Sequence, residues 1–122
     1  MSKVFVALGA LFALLGVALG AFGAHGLKGK IAENLLANYQ TGVHYQLVHA
    51  LGLILIGLLM AVLPSSSLNW AGWALVAGIL LFSGSLYVMA LTGLTKLGMI
   101  TPIGGVLFLV GWLLVIVAAL SR

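Results

Sequence analysis

GAFGAHGLKGKIAENLLANYQTGVHYQLVHA, residues 20–50, is the stretch on which the reading of this chain turns. It holds all three histidines, the only acidic residue (Glu33) and two of the three tyrosines. What flanks it is oily. Of 122 residues, 64% are hydrophobic and 5% are charged, against about 25% charged in an ordinary soluble domain. So few polar residues cannot coat a water-soluble core of this size, so the composition places the chain in a lipid bilayer. With no cysteine, neither a disulfide framework nor a thiolate metal site is available. The formal charge of +4 comes from five scattered cations against the single Glu33. They suit the flanks of membrane segments and not a nucleic-acid patch.

Outward from residues 20–50, four apolar runs reach the roughly 20 residues that a spanning helix needs. They cover about 4–24, 43–63, 70–91 and 100–120. The first run exceeds the apolar core of a signal peptide, about 7–15 residues. A retained helix is therefore expected, with cleavage near Ala18 to Gly23 as the alternative. Pro64 to Asn69 makes a short turn that pairs spans two and three antiparallel. Trp70 and Trp73 suit an interfacial aromatic belt. Thr101 before Pro102 reads as a helix start, with Thr101 as the cap.

Between spans one and two, Ile31, Leu35, Tyr39 and Val43 recur every four residues. Lys28, Lys30, Glu33, Asn34 and Asn38 lie mostly elsewhere on the wheel. This pattern predicts a short amphipathic helix over about 28–40, lying in the headgroup plane, with Gly42 as the bend into the membrane. The expected fold is all-α. It is an integral membrane four-helix bundle with that interfacial helix, forming a single membrane domain over residues 1–122.

Small residues at Gly9, Ala13, Gly16, Gly20 and Ala24 draw one stripe along the first span, and such stripes permit close helix contact in lipid. Gly84, between Ser83 and Ser85, and Gly104 with Gly105 near the start of span four are further expected packing positions. Glycine inside a helix costs about 1 kcal/mol relative to alanine, so a compensating role is expected.

Four segments carry a family resemblance: GAFGAHGL at 20–27, YQTGVHYQLVHAL at 39–51, LFSGSLY at 81–87 and TPIGG at 101–105. In order and spacing they resemble the family of small four-helix membrane proteins that includes bacterial YgdD and an animal transmembrane relative. The resemblance covers nearly the whole chain. It implies a multi-pass protein of the bacterial cytoplasmic (cell) membrane and carries no established biochemical activity.

Three histidines invite a metal or haem reading, but their spacing argues against it. His44 and His49 are five residues apart, about 140° around a helix, and His25 comes from another segment. There is no carboxylate pair for acid–base work, and Ser83 and Ser85 lack a carboxylate to orient a histidine. No catalytic residue, metal ligand or cofactor is assigned, and the balance is against an enzyme. The ligand or polar-cluster candidates are His25, His44, Tyr45, Gln46 and His49, with Ser83, Ser85, Tyr87 and Thr101. Among them His49 lies deepest and is the sharpest, because an ionisable group inside a membrane marks function by default.

Two functions follow as expectations. One is a module, expected to be a homo-oligomer, that binds or passes a small molecule, lipid or ion at this cluster. The other is a structural or assembly factor that binds other membrane proteins without a ligand. The lipid bilayer is the expected partner in both, and nucleic acid in neither.

Overall fold

The structure is a computed structural model describing residues 2–63 and 65–121. The chain runs as α1 (Ser2–Phe22), a π-helical turn (Gly23–Leu27), α2 (Glu33–Val62), α3 (Ser66–Gly78), a second π-helical turn (Ile79–Ser83), α4 (Gly84–Thr92), a 3-10 turn (Thr95–Met99) and α5 (Thr101–Leu120). Together these make four helical stretches long and apolar enough to cross a membrane: Ser2–Leu27, Glu33–Val62, Ser66–Thr92 and Thr95–Leu120. Among the described residues there is no strand. The chain is an all-α, four-span bundle.

The interfacial segment differs from the expectation. Residues 28–32 form a turn, with Gly29 at φ 79°, a left-handed conformation that a side chain would strain. Glu33 to Gln40 are instead the opening turns of α2 and run straight into the second span. Gly42 does not bend. Its carbonyl accepts the Ser83 hydroxyl at 2.6 Å, and a Cβ there would lie 3.0 Å from the Tyr87 ring. The amphipathic pattern arises because one side of these turns is pinned to the bundle: Tyr39 is buried and its hydroxyl donates to the Leu19 carbonyl at 2.6 Å. At 1.5 Å per residue the 30-residue α2 is about 45 Å long, so it extends beyond a hydrocarbon core of about 30 Å.

Helix ends follow local chemistry. Ser65 caps α3 by accepting from the Ser67 amide at 3.2 Å. Pro64, also part of the expected turn, lies outside the described residues. Thr101 does not cap α5. The cap position is Ile100, and the Thr101 hydroxyl pairs with that of Ser85 at 2.6 Å.

Two cores stabilise the bundle. One gathers Phe5, Leu53, Ile56, Leu68, Leu75 and Phe108 from α1, α2, α3 and α5. The other, nearer the 28–32 turn, joins Leu27, Tyr39, Val43 and Ala90. Glycines set how closely α1 meets α2. A Cβ at Gly9 would sit 2.6 Å from the Ala50 carbonyl oxygen, and one at Gly16 would sit 2.7 Å from Leu47. One at Gly20 would be 3.2 Å from Val43, and one at Gly23 would be 2.5 Å from Tyr39. Ala13 is half-buried and Ala24 is exposed, so the contact line leaves the simple stripe and passes through Gly23.

Candidate functional site

Polar side chains line up along α2 and reach neighbouring helices in two groups. The first group binds helices together. Tyr87 donates to Gln46 Oε1 at 2.6 Å, and Gln46 Nε2 donates to the Phe12 carbonyl at 2.8 Å. Spans one, two and three are thereby joined through one buried glutamine (3% exposed). Ser83 reaches Gly42 because the π-helical turn shifts the helical phase at that point. There the Gly84 amide bonds to the Ile79 carbonyl, five residues back. Ser85 holds Thr101 and also donates to the Phe82 carbonyl at 2.9 Å. In this group each donor meets an acceptor on another helix or in its own. Such satisfaction is what backbone and side-chain groups require in lipid.

The second group surrounds His49, which is buried. His49 Nδ1 lies 2.7 Å from the Tyr45 carbonyl, and Trp112 Nε1 donates to His49 Nε2 at 2.9 Å. The tautomer follows from chemistry. A carbonyl only accepts, so Nδ1 carries the proton and donates; an indole N–H only donates, so Nε2 is the acceptor. His49 is a neutral ring with both nitrogens occupied. It stacks on Phe108 with centroids 3.6 Å apart and planes 11° apart. Glycines make room for this arrangement. A Cβ at Gly52 would lie 2.9 Å from the Trp112 ring, and one at Gly78 would lie 2.5 Å from Phe108.

Beside this pair is an open recess of about 490 Å³. Tyr45, His49, Phe82, Phe108 and Trp112 form its aromatic walls, and the α5 backbone at Gly105 forms part of its floor. The two adjacent glycines of α5 do different things. A Cβ at Gly104 would collide with the Phe82 backbone amide and lie 2.7 Å from Phe82 Cβ. A Cβ at Gly105 would be in ordinary contact only, 3.8 Å from the Phe82 ring. Gly104 permits close approach of span four to the π-helical turn. Gly105 leaves space in the recess. Gly84, another expected packing position, does not pack closely either: nothing lies within 4 Å of where its Cβ would be.

The three histidines do not converge. His25 is exposed on the first π-helical turn, and His44 is exposed at the edge of Tyr45, their ring centroids 5.7 Å apart. Gln46 meets Phe12 and Tyr87. Among the described residues no three His, Cys, Asp or Glu side chains gather as a metal site would require. Exposed polar side chains on α2 extend as far as His44 and Tyr45, after which the exposed positions are Val48, Leu51, Leu55, Leu58, Ala61 and Val62. His49 thus lies about 6 Å along the helix beyond the last exposed polar side chain, Tyr45.

Sequence reasoning missed Trp112, Phe82 and Phe108 as neighbours of His49. One signal pointed to Trp112. It sits in the middle of span four, away from the interfacial belt where tryptophan is usual, so its N–H needs an internal acceptor.

A family described as "Protein of unknown function (DUF423)" matches residues 19–105. The chain belongs to this family. A UPF0382 membrane protein of Staphylococcus epidermidis is 52% identical over 119 residues, covering 98% of this chain and 97% of the relative. UPF0382 membrane protein YwdK of Bacillus subtilis is 52% identical over 120 residues, covering 98% of each chain. A UPF0382 membrane protein of Staphylococcus aureus strain USA300 is 51% identical over 116 residues, covering 95% of this chain and 94% of the relative. No solved structure matches. With four candidate spans and relatives named as membrane proteins, the chain is a multi-pass protein of the cell membrane.

Proposed function

We propose that this protein binds a small, membrane-dissolved molecule in the recess between α2, the second π-helical turn and α5. One observation carries the reading. Gly105 is a glycine inside a helix, where it costs about 1 kcal/mol relative to alanine. Neither a crowding neighbour nor a positive φ calls for it. What its missing side chain provides is space in a recess of about 490 Å³, within the range of small-molecule sites, roughly 300–1,000 Å³. The aromatic lining and the exposed apolar Val106 and Leu109 beside it favour a ligand that arrives through the lipid.

Binding fits better than permeation. The remaining polar candidates, Gln46, Ser83, Ser85, Tyr87 and Thr101, are occupied in tying helices together. One chain forms the recess by itself, so binding there needs no second copy. A homo-oligomer would add sites without completing one.

The test is retention. Protein purified from membranes in mild detergent is extracted with organic solvent, and small molecules are identified by mass spectrometry. Wild type is expected to retain a particular species at least fivefold above Gly105→Leu, which fills the recess. Both proteins should accumulate equally and elute as single species. Identical extracts from two well-folded proteins would refute the reading.

A further inference from the structure

We infer that the molecule held in the recess is a hydroxylated flat ring, of the phenol or quinol class, whose hydroxyl bridges Trp112 and His49. This rests on the binding reading above and names its chemical class. Where the recess meets Trp112 and His49, one donor, the indole N–H, faces one acceptor, the imidazole Nε2, 2.9 Å away. The acceptor role is enforced from behind, because Nδ1 must keep its proton to donate to the Tyr45 carbonyl.

A group entering between the two must therefore accept from nitrogen on one side and donate to nitrogen on the other. A hydroxyl does both through a single atom. A ketone, ester or ether oxygen only accepts. It would take the indole N–H and strand the Nε2 lone pair in an apolar site, at the full cost of an unmade bond. A carboxylate or ammonium group would bring an unpaired charge into the membrane. Insertion requires the two nitrogens to separate by roughly 2 Å, to hydrogen-bond distances on each side of one oxygen. Trp112 is only partly buried and borders the recess, so its indole can move outward while His49 stays stacked on Phe108.

The ring follows from the walls. The Tyr45 plane lies within 8° of His49 and 12° of Phe108, and His49 and Phe108 lie within 11° of each other. Three rings thus share one orientation, and a flat ring entering along that plane stacks on their faces. A saturated ring, thicker and without a π face, does not. Gly105 and Val106 border the same recess on α5, where an alkyl substituent would run out toward the lipid.

The experiment uses the full-length protein in lipid nanodiscs and three probes: para-butylphenol, its methyl ether and para-butylcyclohexanol. Binding is followed by calorimetry and by tryptophan emission, subtracting Gly105→Leu as the measure of partitioning into lipid. The phenol is expected to bind about tenfold more tightly than either analogue. His49→Phe, which keeps a ring against Phe108, should reduce the preference for the phenol over its ether to about onefold, with the ether bound at least as tightly as in wild type because no Nε2 lone pair is left to strand. If that variant does not fold, Trp112→Phe removes only the donor that phenol and ether both accept from, so it should weaken both probes and keep the preference for the phenol; loss of the preference there would overturn the bridge. Equal affinity for phenol and ether in wild type would overturn the hydroxyl assignment. The recess reading would survive if both probes still failed to bind Gly105→Leu. Absence of specific binding by all three probes overturns the assignment too, and the retention measurement then decides separately whether the recess holds any ligand.

Discussion

Gly104→Ala is expected to abolish the folded protein in membranes, while Gly105→Ala leaves it intact. The two positions are adjacent and chemically identical, so only their neighbours separate them. At Gly104 the new methyl would meet the backbone of Phe82, lying 2.8 Å from its Cα. Backbone in a π-helical turn, flanked by Ser83 bonded to Gly42 and Ser85 bonded to Thr101, cannot swing aside as a flexible side chain can. Overpacking of this kind costs typically 1–3 kcal/mol and more where the surroundings are rigid, so about 3 kcal/mol or more is expected. At Gly105 the methyl would be in ordinary contact at 3.8 Å, and alanine favours the helix by about 1 kcal/mol. The difference of about 4 kcal/mol corresponds to roughly a thousandfold in the folding equilibrium. Membrane abundance and denaturant titration in mixed micelles measure it. Similar loss in both variants would contradict the assignment of Gly104 to packing and Gly105 to space.

The second large effect is at Gln46. Gln46→Leu removes the acceptor of the Tyr87 hydroxyl and the donor to the Phe12 carbonyl. The carbonyl keeps its place in α1, whereas the tyrosine hydroxyl is left without that partner. Interhelical hydrogen bonds in membranes average about 0.6 kcal/mol and reach about 1.7, while stranding a buried group costs about 1–3 kcal/mol. Two bonds lost and one group stranded give about 2 kcal/mol for Gln46→Leu. Tyr87→Phe alone strands Gln46 Oε1 and should cost about 1 kcal/mol. The double variant strands neither partner, so its cost should fall below the sum of the single costs by about 1 kcal/mol. Unfolding in mixed micelles, arranged as a double-mutant cycle, reads that coupling directly. Strict additivity would show that Gln46 and Tyr87 do not act as a pair.

Much of the fold was legible from composition alone. Four runs of about 20 apolar residues can only be satisfied in lipid as helices, and four spanning helices are present. The boundary between spans one and two was less legible. A polar face at period 3.6 shows that a helix has two environments, but not whether it stops before the next helix begins. The Glu33–Val62 helix is continuous, because no residue between Gln40 and His44 interrupts the backbone ladder and Tyr39 anchors its start to α1.

The site was legible in part. His49 stood out because imidazole is rare at that depth, and Tyr45 because it lies four residues before it on the same face. Their partners come from positions more than 30 residues away: Phe82 in the second π-helical turn, and Phe108 and Trp112 on α5. The π-helical turns left no periodic trace, since one residue of phase shift within an oily run does not alter its hydropathy. Gly104 and Gly105 read alike in sequence, because what a missing side chain does depends on what lies opposite.

What the sequence by itself determined is the medium and the count: a membrane chain with four spans, whose polarity is concentrated at residues 20–50 and a few hydroxyls. Transfer energy decides those features, and it sums over residues regardless of their partners. The tertiary structure decided which polar groups lock helices and which face a recess. It also decided that His49 is held neutral by one donor and one acceptor, and that Gly105 leaves room where Gly104 does not. Those features depend on distances of a few ångströms between different helices, and only the packed bundle sets them.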